Sequence, residues 1–161
     1  MTSETHFSGG RQCGAVRYRA TGGLAYPHVC HCRMCQKAAG NYFMPLAASL
    51  RKNFTLTRGE ATWFQSSDQV RRGFCSQCGT PLFYDMPEAD FINITLGSLD
   101  EPDRVRPEAQ SNTGHKMRWF RDLDGLPLEP EPADGQELPR TNKRQHPDHD
   151  TPVWPPEDIR E

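Results

Sequence analysis

The chain has no apolar run approaching the ~18–20 residues that a bilayer crossing needs, and its opening stretch MTSETHFSGGRQ lacks the basic-then-apolar order of an export signal. Membrane insertion and secretion are therefore not expected, and the cytoplasm is the expected compartment. Hydrophobic residues are also scarce, at 35% of 161, while 13 glycines and 14 prolines make the chain rich in turns. This length predicts one domain with a real core, with part of the chain left unpacked. There is no Gly-rich phosphate loop and no internal repeat. No strong charge of one sign is present either. The net charge is −2, but residues 128–161 hold nine acidic against four basic residues, which leaves the body at +3. That is too little for a phosphate-neutralising nucleic-acid surface, although it would suit a small anionic substrate.

What is present divides in two. From Leu128 onward the chain has seven prolines, no cysteine and no period of two or 3.6, so 128–161 reads as an acidic, disordered or loosely docked tail. Val153 and Trp154 are its one bulky apolar pair; they could dock back on the body, but a solvated tail is the favoured reading. Residues 1–127 read as the domain, mainly β with very little helix. Strands are expected over Ala15–Ala20, with Val16 and Tyr18 on one face, and over Asn53–Thr57, Ala61–Gln65, Gln69–Phe74, Pro81–Tyr84 and Phe91–Leu96. Arg58-Gly59-Glu60 reads as a hairpin turn between the second and third of these. The best helix is one or two turns over Arg33–Ala39, stopped by Gly40.

All six cysteines fall in three short motifs: GGRQCG around Cys13, CHCRMC over Cys30–Cys35 and FCSQCG around Cys75 and Cys78. In a reducing compartment such clusters hold metal or do chemistry more often than they form disulfides. A C-x-x-C pair turns two sulfurs toward one ion, so Cys75 and Cys78 form half a site. Cys30, Cys32 and Cys35 can converge three thiolates on one metal and leave the fourth tetrahedral position open, as catalytic zinc sites do. A redox dithiol would normally open a helix in an alternating α/β pattern, which is missing here. Zinc is the default ion for soft sulfur ligands.

The segments GGRQCGAVRY, CHCRMCQKAAG, FCSQCGTPLFY, GSLDEP and SNTGHKMRWF, with DGLP, resemble in order and spacing the glutathione-dependent formaldehyde-activating enzyme family, over about residues 8–127. The resemblance implies an Mss4-like tent of antiparallel sheets with two zinc sites. Cys30, Cys32 and Cys35 match the catalytic zinc ligands. Cys13, Cys75 and Cys78 match three of four structural ligands, and Arg11 stands where the family pattern has the fourth cysteine. A guanidinium cannot ligate zinc. Either water or a side chain such as His6 completes that site, or it binds zinc weakly, or it is empty; a retained zinc with a substitute ligand is the favoured reading, and Arg11 is then expected to turn outward.

The implied activity is that of a carbon-sulfur lyase, adding glutathione or a similar thiol to formaldehyde or another small aldehyde to give an S-hydroxymethyl adduct. Zinc would hold the thiol as thiolate. Of candidate proton donors, His31 lies between two ligands, although alternation within C-x-C turns it away from them; His28 and His115 are further candidates. Arg33, Lys37, Arg71 and Arg72 lie near the motifs and could meet glutathione's carboxylates. The competing class is a zinc-stabilised binding module without catalysis, which would have no need of a three-cysteine site with an open position.

Overall fold

The computed structural model describes residues 5–130 and 145–155. The expected disorder of 131–144 and of 156–161 lies outside the described residues. Among the described residues ten strands form two sheets. They are β1 (His6–Gly10), β2 (Arg17–Thr21), β3 (Ala25–Cys30), β4 (Met44–Leu50), β5 (Phe54–Arg58), β6 (Thr62–Gln65), β7 (Arg71–Phe74), β8 (Pro81–Asp85), β9 (Phe91–Thr95) and β10 (Ala109–Ser111). The small sheet runs β1-β2-β5 and the large one β10-β3-β4-β9-β8-β7-β6. All pairings are antiparallel except that of β10 with β3. The mainly β reading and its Mss4-like form hold.

The core lies where the two sheets face each other. Alternation on β2 turns Tyr18 and Ala20 inward, joined by Val16 just before the strand, and all three are fully buried. They meet Leu82, Phe83, Ile92 and Ile94 from the large sheet, each such side chain contributing roughly 1.5–3 kcal/mol by its burial. Tyr18 sits edge-on to Phe83 at 5.5 Å and its hydroxyl bonds the Ser98 hydroxyl at 2.7 Å. At the far end of the large sheet, the fully buried Asp85 accepts from Arg51 and Arg71, both at 2.7 Å.

Arg58-Gly59-Glu60 does not close a hairpin. β5 pairs with β2 and β6 pairs with β7, so the turn carries the chain from one sheet to the other. Gly59 is required there: its φ is +60° and a Cβ would collide with the Ala15 carbonyl. Leu56 on β5 is exposed.

Among the described residues the one α-helix, α1, spans Arg33–Ala39 as the sequence predicts. The Cys32 side chain caps its start by accepting from the Cys35 backbone N–H at 3.3 Å. Gly40, in the left-handed conformation, closes its end by donating to the Gln36 and Lys37 carbonyls.

Candidate metal centre

The fold brings the cysteines together as two trios, Cys30–Cys32–Cys35 and Cys13–Cys75–Cys78, and within each trio the sulfurs lie within 4.8 Å of one another. On distance alone either trio could hold a metal, since sulfurs around a tetrahedral zinc sit about 3.8 Å apart for Zn–S bonds of about 2.3 Å. All six cysteines are unpaired by disulfides.

The first trio is assembled by the end of β3, which supplies Cys30, and by α1, which supplies Cys32 at its cap and Cys35 in its first turn. Cys30 and Cys35 are buried against Met44 and Leu46, while Cys32 is half-exposed. Donors surround the sulfurs. Asn112 Nδ2 reaches Cys30 Sγ at 3.4 Å and Arg72 Nη2 reaches Cys35 Sγ at 3.5 Å. Burial alone would raise the Cys30 thiol, but hydrogen bonds from the Ser111 hydroxyl, the Cys32 backbone and the neighbouring thiols outweigh it and hold Cys30 below its ordinary value. Burial pushes the Cys35 thiol up to about 12, against the pull of Arg72. Three thiolates packed together repel one another, and a bound cation would offset that repulsion.

The second trio joins the β1–β2 loop to the turn after β7. Cys75 accepts from the backbone N–H groups of Gln77 at 3.1 Å and Cys78 at 2.9 Å, which shapes the knuckle. Burial raises Cys13 to about 11. Burial also opposes ionisation of Cys78, but the Thr80 hydroxyl and backbone, with Cys13 and Cys75, outweigh it and bring it to about 6.

Arg11 does not point outward. It is buried, and its Nη1 donates to the Cys75 sulfur. The outward expectation rested on repulsion from a metal; with a guanidinium among the sulfurs, the attraction runs the other way. His6 is exposed at the start of β1, paired with Thr21, and belongs to neither cluster.

Nor is the end of the chain wholly solvated. Residues 145–155 lie as a strap across the small sheet and the β1–β2 loop. His146 is buried, its ring against Gly14. Asp150 pairs with Arg17 at 2.9 Å and Arg19 at 3.3 Å, and the Thr151 carbonyl accepts from Arg58. Trp154 Nε1 donates to the Cys13 carbonyl at 2.7 Å.

Residues 6–115 match the family described as glutathione-dependent formaldehyde-activating enzyme, which is more than half of the chain. The chain belongs to this family. Among solved structures, the crystal structure of a Rhodobacter sphaeroides protein is similar with a TM-score of 0.52 at 18% identity, covering 65% of this chain and 99% of that one. That likeness bears on the fold alone. Among the described residues no helix is long and apolar enough to cross a membrane.

As a member of the glutathione-dependent formaldehyde-activating enzyme family the chain is expected to carry zinc, and the two trios fit it differently. The first offers three sulfurs, a half-exposed edge at Cys32 and outer donors from Asn112, Ser111 and Arg72, the kind of second shell that orients metal ligands. The second offers three sulfurs and a cation, and a cation does not fit a zinc coordination shell.

The other candidate residues separate by placement. His31 is fully buried between Phe43 and Phe120, with Nε2 on Gln110 Oε1 at 3.1 Å and Nδ1 without a partner. His28 donates to the Tyr26 carbonyl at 2.8 Å, and His115 lends its carbonyl to Gln36. Arg71 is taken up by Asp85 and the face of Trp63, 4.1 Å away, and Arg72 by Cys35, Met44 and Ser66. Arg33 and Lys37 are exposed on α1 and line a 350 Å³ cleft with Tyr42 and Met117.

Proposed function

We propose that the protein is a zinc-dependent carbon-sulfur lyase that joins glutathione, or a thiol like it, to formaldehyde or another small aldehyde as the S-hydroxymethyl adduct, with Cys30, Cys32 and Cys35 as the zinc ligands. The observation that carries this reading is the first trio: three sulfurs in mutual reach, buried on two sides and open at Cys32. A zinc ion held there would supply a Lewis acid with one position left open, which keeps a substrate thiol deprotonated at neutral pH.

The chain's own residues do the rest. Asn112 and Arg72 hold the buried sulfurs in place with N–H groups aimed at them. Arg33 and Lys37, four residues apart on one face of α1, present two cations within a turn of Cys35, suited to a thiol that carries carboxylates. Tyr42 and Met117 give the same cleft an apolar side. Holding thiol and aldehyde together would lower the entropic cost of their encounter. His31 is packed among aromatic rings and serves as structure, so the alkoxide proton comes from solvent at the open edge. The reading carries with it a reducing compartment, the cytoplasm, where glutathione is abundant and six thiols stay reduced.

The experiment is an NMR exchange measurement on a mixture of glutathione and formaldehyde. Zinc-loaded protein is expected to speed interconversion with the adduct, and Cys32→Ser to abolish the effect. Equal rates with and without protein would overturn the reading.

A further inference from the structure

The β1–β2 loop presents four consecutive backbone carbonyls, and each has a specific partner. The Arg11 carbonyl accepts from the Gly14 N–H at 2.9 Å, and the Gln12 carbonyl from the His146 N–H at 2.7 Å. The Cys13 carbonyl accepts from Trp154 Nε1 at 2.7 Å and the Gly14 carbonyl from Arg58 Nη1 at 3.1 Å. Two of the four partners come from the strap, and a third, Arg58, also binds the strap through Thr151 and His146. This loop carries Cys13, and it is held from its outer side by chain some 130 residues away. On its inner side Arg11 donates to Cys75, which already accepts two backbone N–H groups.

A structural zinc would do two things here: place a positive charge among three sulfurs and tie the loop to the knuckle. Both tasks already have an agent. Arg11 places the charge, and its own backbone N–H is fixed to the Val16 carbonyl. The Arg11 contact to Cys75 and the Gln12 N–H on Thr80 Oγ1 at 3.3 Å tie loop to knuckle. A divalent ion brought into the trio would meet the Arg11 guanidinium directly against Cys75, closer than the 3.5 Å at which Arg72 stands off from Cys35 in the first trio, and that like-charge contact opposes binding.

We propose that the Cys13–Cys75–Cys78 cluster is not a zinc site in this protein: the Arg11 guanidinium takes the cation's place among the sulfurs, and the 145–155 strap supplies the tether that a metal would otherwise provide. The proposal does not depend on what the first trio does. It also gives the strap a purpose, since its anchors fall on the loop whose metal it replaces.

The test is zinc content of the full chain after exposure to excess zinc and gel filtration, with melting temperature read alongside. The expected result is no more than one zinc per chain, with that one lost in Cys32→Ser, a conservative change because Ser also caps helices. Arg11→Cys should add one further zinc. In the parent protein, His146→Ala combined with Trp154→Ala should lower the melting temperature by at least about 4 °C, while in zinc-loaded Arg11→Cys the same pair should cost less than half of that. Two zincs in the parent, one zinc that survives Cys32→Ser, or a parent whose melting temperature ignores the strap substitutions would each overturn the proposal. If Arg11→Cys does not fold, the parent measurements decide alone. A parent with no zinc at all leaves this inference standing and defeats the catalytic reading of the first trio, so the two fail separately.

Discussion

Arg72 Nη2 lies 3.5 Å from the Cys35 sulfur, and its guanidinium is buried there, its face toward the Tyr84 ring. A buried cation held against one ligand lowers the cost of ionising that ligand. Replacing Arg72 by Gln should therefore weaken zinc retention at the first trio by roughly 10–100-fold, the range for loss of an outer-shell partner. Competition with a chromophoric chelator reads this directly; unchanged affinity would reduce the contact to packing.

The Cys35 thiol, raised to about 12 by burial, is protonated in the metal-free protein at neutral pH. Zinc must displace that proton, so affinity should rise as pH rises through the neutral range. Cys30, held below its ordinary value, contributes less to this dependence. Calorimetry in buffers of different ionisation enthalpy should show at least about one proton released per zinc near pH 7. Binding without proton release would mean that Cys35 is not a ligand.

His31→Phe should leave turnover within about tenfold of the parent, whereas losing a general acid costs about 10²–10⁴-fold. The ring sits at 5.0 Å from Phe120, edge to face, and Gln110 keeps a second donor in Lys116 at 2.9 Å when the imidazole is gone. Comparing initial rates of the two proteins at equal zinc content decides between the roles.

Much of this was legible in advance. The three cysteine motifs announced both clusters because short C-x-C and C-x-x-C spacings leave the sulfurs few ways to point. The helix over Arg33–Ala39 was legible because Gly40 ends it. Other features were not. β3 and β4, the second and third strands from the β10 edge of the large sheet, lack the alternation of a half-buried strand: Ala25–Cys30 holds Pro27 and His28, and Met44–Leu50 holds two alanines and Pro45. The inward turn of Arg11 is not legible because a cation beside three cysteines is repelled by a metal but attracted by bare sulfur, and the sequence does not say which of the two it meets. Docking of the strap is only the less favoured alternative in the sequence, for a related reason. His146, Asp150 and Trp154 have no period, and their partners are backbone carbonyls and arginines far away in sequence. Asn112 gave no sign either, since its left-handed conformation, which follows the last residue of β10, is set by tertiary context.

The strap should respond to acid. His146 donates from Nδ1 to the Pro147 carbonyl, and its Nε2 accepts from Arg58 at 3.2 Å, so the docked ring is neutral. Burial, with the charges of Arg17 and Arg58, holds its pKa below 6.5 despite Pro147 and Asp100. A group depressed in this way makes docking weaker as pH falls below the ordinary histidine value, because the released strap takes up the proton more readily. Asp150 adds a second step. Burial would raise it, but Arg17 and Arg19 outweigh burial, so its contribution is present above the usual carboxylate range and lost below it. Trp154 fluorescence against pH should show release beginning below about pH 6.5 and completing below about pH 4. His146→Gln should remove the first step and keep the second.

Zinc-edge X-ray absorption on the full-length, zinc-loaded protein bears most directly on the chemistry of Cys30, Cys32 and Cys35. The resting protein should show three sulfur neighbours at about 2.3 Å and one lighter atom. Addition of glutathione should raise the sulfur count to four, and Cys32→Ser should lose the signal. A resting site with four sulfurs, or a three-sulfur site that glutathione leaves unchanged, would contradict an open zinc centre built to take a thiol.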